Sequence, residues 1–114
     1  MITVYGISNC DTVKKARVWL TGHDMPYEFH DFKKQGLPAQ KLAAWEQAVG
    51  WEKLLNRQGS TWRKLPIEVQ TGTTDAVSAQ ALMQAHPSVI KRPVVDWGAR
   101  LSVGFDEKSW AQWL

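Results

Sequence analysis

One residue in this chain carries chemistry that no other residue duplicates: Cys10, the only cysteine. A thiol is a nucleophile only when ionised, and a free cysteine, with a pKa of roughly 8.5, is mostly protonated at neutral pH. The sequence around Cys10, VYGISNCDTVKK over residues 4–15, favours the ionised form. Residues 2–5 are β-branched and aromatic and are closed by Gly6, the pattern of a buried strand entering a turn. From Val13 the apolar residues Val13, Ala16, Trp19 and Leu20 recur at three and four positions, with Lys14, Lys15 and Arg17 between them, which is the period of an amphipathic helix. Ser8, Asn9 and Asp11 supply capping chemistry for its start. Cys10 therefore falls in the first turn of a helix or just before it. Unpaired N–H groups and the positive helix end stabilise a thiolate there, and Lys14 and Lys15 follow within a turn or so. The competing reading is an inert buried thiol; position favours the reactive one, because a strand, a turn and a helix start recur as a place for nucleophiles and anions. The Thr12 hydroxyl, two residues on, is a candidate donor to the thiolate, although such residues more often only cap.

The remaining elements must hold this segment in place. Gly22 is a plausible end for the first helix and Pro26 stops any continuation. Residues 27–32 alternate aromatic and polar side chains and read as a second strand, parallel to the first because a helix separates them, so that a right-handed βαβ unit opens the chain. Gln35-Gly36 is a turn, and Pro38 suits the first position of a helix in which Leu42, Trp45 and Val49 keep helical spacing as far as Gly50. Residues 51–55 give a further helical turn with Leu54 and Leu55 inward, and residues 56–61, NRQGST, are a loop. Residues 62–69 read as helical with an interruption at Pro66. Thr73 and Thr74 are placed to cap a helix starting at Asp75, with Ala79, Leu82, Met83 and His86 on its inner side. Residues 38–86 thus form a helical insertion. Residues 93–96 and 101–103 flank WGAR, a hairpin with glycine in its turn, and Asp106 caps a last short helix carrying Trp110 and Trp113. The order β-α-β, helices, β-β-α is that of an α/β thioredoxin-like fold with a helical insertion between the βαβ unit and the C-terminal ββα unit, all within one domain over residues 1–114. In that fold a cis-proline enters the third strand beside the nucleophile, and IKRP over residues 90–93 fits it.

Composition narrows the functions. The 114 residues carry a net charge of +3, with 14 basic and 11 acidic side chains, and the basic residues are dispersed along the chain. A nucleic-acid surface needs a denser stripe or a recognisable module, so small anions suit this pattern better. Seven tryptophans resemble a base-stacking platform in number only, because Trp19, Trp45, Trp110 and Trp113 fall on apolar helical faces and read as core. No apolar run reaches the ~18 residues of a membrane span and no signal-like succession opens the chain, so the expected location is cytoplasmic. A lone cysteine forms no internal disulfide. His23, His30 and His86 are scattered with no second cysteine near, so zinc spacing is absent and no metal is expected. No glycine-rich phosphate loop occurs. Asp31 and Asp75 are single carboxylates that solvation or capping explains.

Four segments together, YGISNCDT with KKA, LLNRQGSTWRKL, IKRPVV and a Gly-Phe before an acidic helix start, resemble the arsenate reductase (ArsC)/Spx family, and within it the YffB-type branch. The resemblance covers almost the whole chain. It implies a thioredoxin-like domain in which Cys10 is the catalytic nucleophile, with arginines around the thiol that bind an oxyanion or glutathione. One of these corresponds to Arg57, or to Asn56 if the register slips by one; another, just before the strand proline, is Arg92. Lys14, Asn9, Thr12 and Pro93 complete the substrate and anion site expected from position. The resemblance also implies glutathione as a cosubstrate with no bound cofactor, a small oxidised thiol or oxyanion as substrate, glutaredoxin as a possible partner, and a monomer. The third arginine of true arsenate reductases, after the last hairpin, is replaced by Val103-Gly104-Phe105. That departure weighs against arsenate reduction and resembles the Spx branch, whose members bind RNA polymerase. Guanidinium groups suit these roles, since they stay charged and offer forked donors to oxyanions. The leading expectation is a glutathione-dependent thiol reductase; the alternatives are an Spx-like regulator and an arsenate reductase.

Overall fold

Ile2–Gly6 form the first strand, β1, because Ile2, Val4 and Tyr5 have a core to enter: all are buried. The computed structural model describes all residues, Met1–Leu114, and divides into two compact units. The first comprises Met1–Phe32 and Arg92–Leu114, the second Lys33–Lys91.

In the first unit β1 leads through residues 7–10 into the helix α1, Asp11–Gly22, which buries Val13, Ala16 and Leu20 as the apolar spacing requires. β2, Tyr27–Asp31, runs parallel to β1 in the register Ile2↔Tyr27 through Gly6↔Asp31. β3, Val94–Asp96, and β4, Leu101–Val103, form the expected hairpin, and β3 pairs antiparallel with β1. The sheet order is β2-β1-β3-β4. With a βαβ unit opening it and a ββα unit closing it, the last helix being Glu107–Gln112 capped by Asp106, this is a thioredoxin-like fold. The hairpin turns at Gly98, where φ is +90° and a side chain would be strained. The Gly98 N–H donates to Asp96 Oδ1 at 2.9 Å.

The core of this unit is aromatic. Ile2, Val4, Ala16, Leu20, Val95 and Trp110 form its buried centre, with Trp19, Trp97, Phe105 and Trp113 packed around it. Trp110 meets Trp19, Trp97 and Phe105 edge-on, at centroid distances of 5.4, 4.8 and 4.8 Å. Trp19, Trp110 and Trp113 pack in this core as their helical spacing predicts, and Trp97, read from sequence as part of the hairpin, joins them.

The second unit is helical. After the short α2, Phe32–Gln35, come α3, Ala39–Val49; α4, Trp51–Leu54; α5, Ser60–Lys64; α6, Ile67–Gly72; and α7, Ala76–Ala85, followed by a 3-10 turn, Pro87–Val89. Leu42, Trp45, Leu54, Leu55, Ala79, Leu82, Met83, Val89 and Ile90 are its buried apolar residues.

Several local expectations are corrected. Neither Ser8 nor Asn9 nor Asp11 caps α1; Cys10 itself is the N-cap residue. β2 stops at Asp31, and Phe32 turns into α2. Pro38 is the N-cap of α3, one residue ahead of the expected place. The loop expected over residues 56–61 is shorter, because Ser60 and Thr61 open α5, and Pro66 divides two helices by serving as the N-cap of the second. Asp75 caps α7: its Oδ1 accepts the Ser78 N–H at 2.8 Å while the Ser78 hydroxyl oxygen accepts the Asp75 N–H at 3.1 Å. Thr73 instead donates its hydroxyl to the Val69 carbonyl. His86 lies past the last turn of α7 and is exposed. No helix is long and apolar enough to cross a membrane, and no three His, Cys, Asp or Glu residues group as metal ligands.

Candidate active site

The site begins with how residues 7–10 are built. β1 ends at Gly6, where an added Cβ would lie 2.8 Å from Val13 Cγ2; the missing side chain lets the strand end lie against the first turn of α1. Residues 7–10 then make a turn closed by the Cys10 N–H on the Ile7 carbonyl at 3.2 Å. Cys10 has extended dihedrals, φ −94° and ψ 126°, as an N-cap residue does, and its carbonyl accepts the Lys14 N–H at 3.0 Å.

Cys10 is partly buried, and its pKa is held below the ordinary thiol value. Partial burial, the largest single influence, acts the other way by disfavouring the charge. It is outweighed by the Val13 N–H, then by a hydrogen bond from the Arg92 side chain and that cation's charge, and last by the Thr12 N–H. Although burial opposes the charge, the Val13 and Thr12 N–H groups of the first helical turn, which have no partner within the helix, favour the thiolate over the thiol.

Arg92 arrives from the far end of the chain. It is half-buried, with its Nε shut off from solvent, and it precedes Pro93 across a cis peptide bond, as the fold analogy predicts. Pro93 is buried and its carbonyl accepts the Gly104 N–H at 2.8 Å, so the end of β4 fixes the backbone next to Arg92.

The other expected residues are placed as follows. Asn9 and Thr12 are exposed beside Cys10, and Thr12 acts on the sulfur through its backbone N–H. Lys14 is exposed one turn along α1. Arg57 belongs to the helical unit, where its exposed guanidinium lies 5.5 Å from the Trp51 ring and 5.9 Å from the Trp62 ring. Asn56 accepts the Gln58 N–H on its side-chain oxygen and donates its own N–H to the Val89 carbonyl.

Two features were not found from sequence. Asp31 is not solvated: it is 6% exposed, and its Oδ2 accepts the Ser8 N–H at 3.2 Å. A carboxylate at a strand end carries no sequence signal for such a role. A shallow groove of about 640 Å³ runs along α1 from Lys14, lined also by Arg17, Val18, Thr21, Gly22 and Tyr27. Arg17 is fixed over the Phe29 ring at 4.1 Å and donates from Nε to the Tyr27 hydroxyl.

Comparison with known proteins places this geometry. The model of a family described as the ArsC family matches residues 5–113. An uncharacterized protein of Haemophilus influenzae is 40% identical over 110 residues, 96% of each chain. The global transcriptional regulator Spx of Listeria innocua is 27% identical over 94% of this chain and 82% of its own. Among solved structures, a YffB protein is 46% identical with a TM-score of 0.92, covering 98% of this chain and 97% of that one. An arsenate reductase (ArsC) related protein from Brucella melitensis is 50% identical with a TM-score of 0.79, covering 98% and 92%.

Proposed function

Because this chain belongs to the ArsC family and sets its one cysteine at a helix start beside an arginine, we propose that it is a glutathione-dependent thiol oxidoreductase of arsenate-reductase-like type, with Cys10 as nucleophile. The observation that carries this reading is the placement of Cys10 as the N-cap residue of α1 with the Arg92 side chain hydrogen-bonded to it, an arrangement that favours the thiolate although burial opposes it.

In the proposed cycle the Cys10 thiolate attacks the glutathionyl sulfur of a mixed disulfide, R–S–S–G. The S–S bond breaks, R–S⁻ leaves and takes a proton from water, and Cys10 now carries glutathione. A glutathione thiolate then attacks that glutathionyl sulfur, freeing the Cys10 thiolate and giving oxidised glutathione. The sum is R–S–S–G plus glutathione to R–SH plus oxidised glutathione. An external thiol resolves the intermediate because the chain has no second cysteine. Arg92 has the fixed charge and forked donors to bind a carboxylate of glutathione, or an oxyanion substrate, next to the sulfur. Arg57 is assigned to anion binding by the family resemblance, and its guanidinium lies within cation–π distance of Trp51 and Trp62.

The test is intact mass after incubation with oxidised glutathione. Wild-type protein is expected to gain one glutathionyl group and Cys10→Ser none; a wild-type protein that never gains the adduct ends this reading.

A second reading, transcriptional regulation, is favoured by the likeness to Spx across 94% of this chain and by the Gly104-Phe105 pair after the last hairpin. Position 13 is valine, so Cys10 has no partner for an internal disulfide switch. Stoichiometric binding of the RNA polymerase α subunit, unchanged in Cys10→Ser, would make regulation the better account. Arsenate reduction stands third, since Val103-Gly104-Phe105 supplies no arginine there; turnover of arsenate with glutathione and glutaredoxin would restore it.

A further inference from the structure

We propose that Asp31 is a positioning residue for Cys10: its buried carboxylate, at the end of β2, fastens the turn that presents the sulfur. This rests on the reading of Cys10 as a nucleophile. Asp31 is the last residue of β2 and pairs in register with Gly6, the last residue of β1. From Gly6 the chain makes the turn over residues 7–10, whose one internal hydrogen bond joins the Cys10 N–H to the Ile7 carbonyl. The Ser8 N–H does not join that bond; it donates to Asp31 Oδ2 at 3.2 Å. Ile7 is buried, so the turn is anchored on its apolar side by packing and on its polar side by this carboxylate.

A carboxylate that is 6% exposed is unfavourable unless its oxygens are hydrogen-bonded. Its charge cannot be what Cys10 requires, because a nearby anion disfavours a thiolate. What Asp31 contributes is an acceptor at a fixed point, which keeps the sulfur aligned with the Val13 and Thr12 N–H groups and with Arg92, the charged group that bears on it. The two contributions of Asp31 therefore have opposite signs on the Cys10 pKa, and substitution separates them. Asn keeps an acceptor and removes the charge; Ala removes both.

The experiment is iodoacetamide alkylation of the whole protein as a function of pH, with folding monitored by near-ultraviolet circular dichroism of the tryptophans. Asp31→Ala is expected to raise the midpoint by about one unit and so, at pH well below the wild-type midpoint, to slow alkylation about tenfold, the loss of thiolate that such a shift brings there. Asp31→Asn is expected to keep the wild-type midpoint or fall below it. Ser8→Pro removes the donor at a turn position that accepts proline and should behave as Asp31→Ala does. A folded Asp31→Ala protein with the wild-type profile, or an Asp31→Asn protein impaired as fully as Asp31→Ala, overturns the proposal. If neither Asp31→Ala nor Ser8→Pro folds, hydrogen exchange of the wild-type Ser8 amide decides. Slow exchange supports the bond to Asp31, and exchange at the rate of an open turn overturns it. Alkylation needs no glutathione, so loss of glutathionylation with these profiles intact would count against the proposed function alone.

Discussion

Against the opposing effect of burial, Arg92 and the first-turn N–H groups lower the Cys10 pKa by separable means, one a side-chain cation and the other backbone. Arg92→Ala is expected to raise the Cys10 pKa and slow alkylation at neutral pH, with the N–H contribution remaining. Arg92→Lys should fall between, since it keeps charge and loses the fork; the pH profile of alkylation checks both. The same shift links ionisation to stability. A thiol whose native pKa lies below its unfolded one adds stability in full above the unfolded value, roughly 8.5, and loses it as pH falls through the native value. Urea unfolding against pH should show this dependence in wild type and not in Cys10→Ser. At this scale Cys10 was legible because it is unique and stands between a strand pattern and a helical one. Arg92 was legible only through the family resemblance and its place before a proline. Asp31 was not, since a lone carboxylate at a strand end looks the same solvated or buried.

Gly6 decides how closely β1 and α1 approach. Gly6→Ala puts a Cβ 2.8 Å from a methyl of Val13, which is fully buried and stiff at χ1, so one of them must move. We expect a loss of about 1–3 kcal/mol, as for overpacked cores, read from urea unfolding. In the helical unit, the Ser78 N–H and then its hydroxyl hold the Asp75 carboxyl below the usual carboxylate range. Its contribution is therefore complete above that range and declines as pH falls through it; Asp75→Ala should flatten the acid limb of unfolding followed by far-ultraviolet circular dichroism. The elements themselves were mostly readable, because α1, α3 and α7 keep a clear apolar period over two or three turns. Their ends were less so. Thr73, Thr74 and Asp75 all have capping side chains, and only the reciprocal pairing with Ser78 selects Asp75. Pro38 and Pro66 each mark a boundary without saying on which side of it they sit.

For the molecule as a whole, the thioredoxin-like order could be read because a parallel βαβ unit and a tight hairpin leave few ways to form one sheet. The convergence of Trp19, Trp97 and Phe105 around Trp110 could not, since it depends on side chains far apart in sequence. Trp110→Ala should destabilise the protein by about 3–5 kcal/mol, as deletion of a buried aromatic does, measured by urea unfolding. One further property follows from Cys10 standing at the head of α1. In the proposed cycle the sulfur bonded to glutathione is no longer an anion, and the Val13 and Thr12 N–H groups lose the acceptor they stabilise. The thiolated form thus forgoes something the free form keeps, and it should melt at a lower temperature and have a less negative reduction potential than an unstrained glutathione disulfide. A protein arranged in this way gives up its cargo readily.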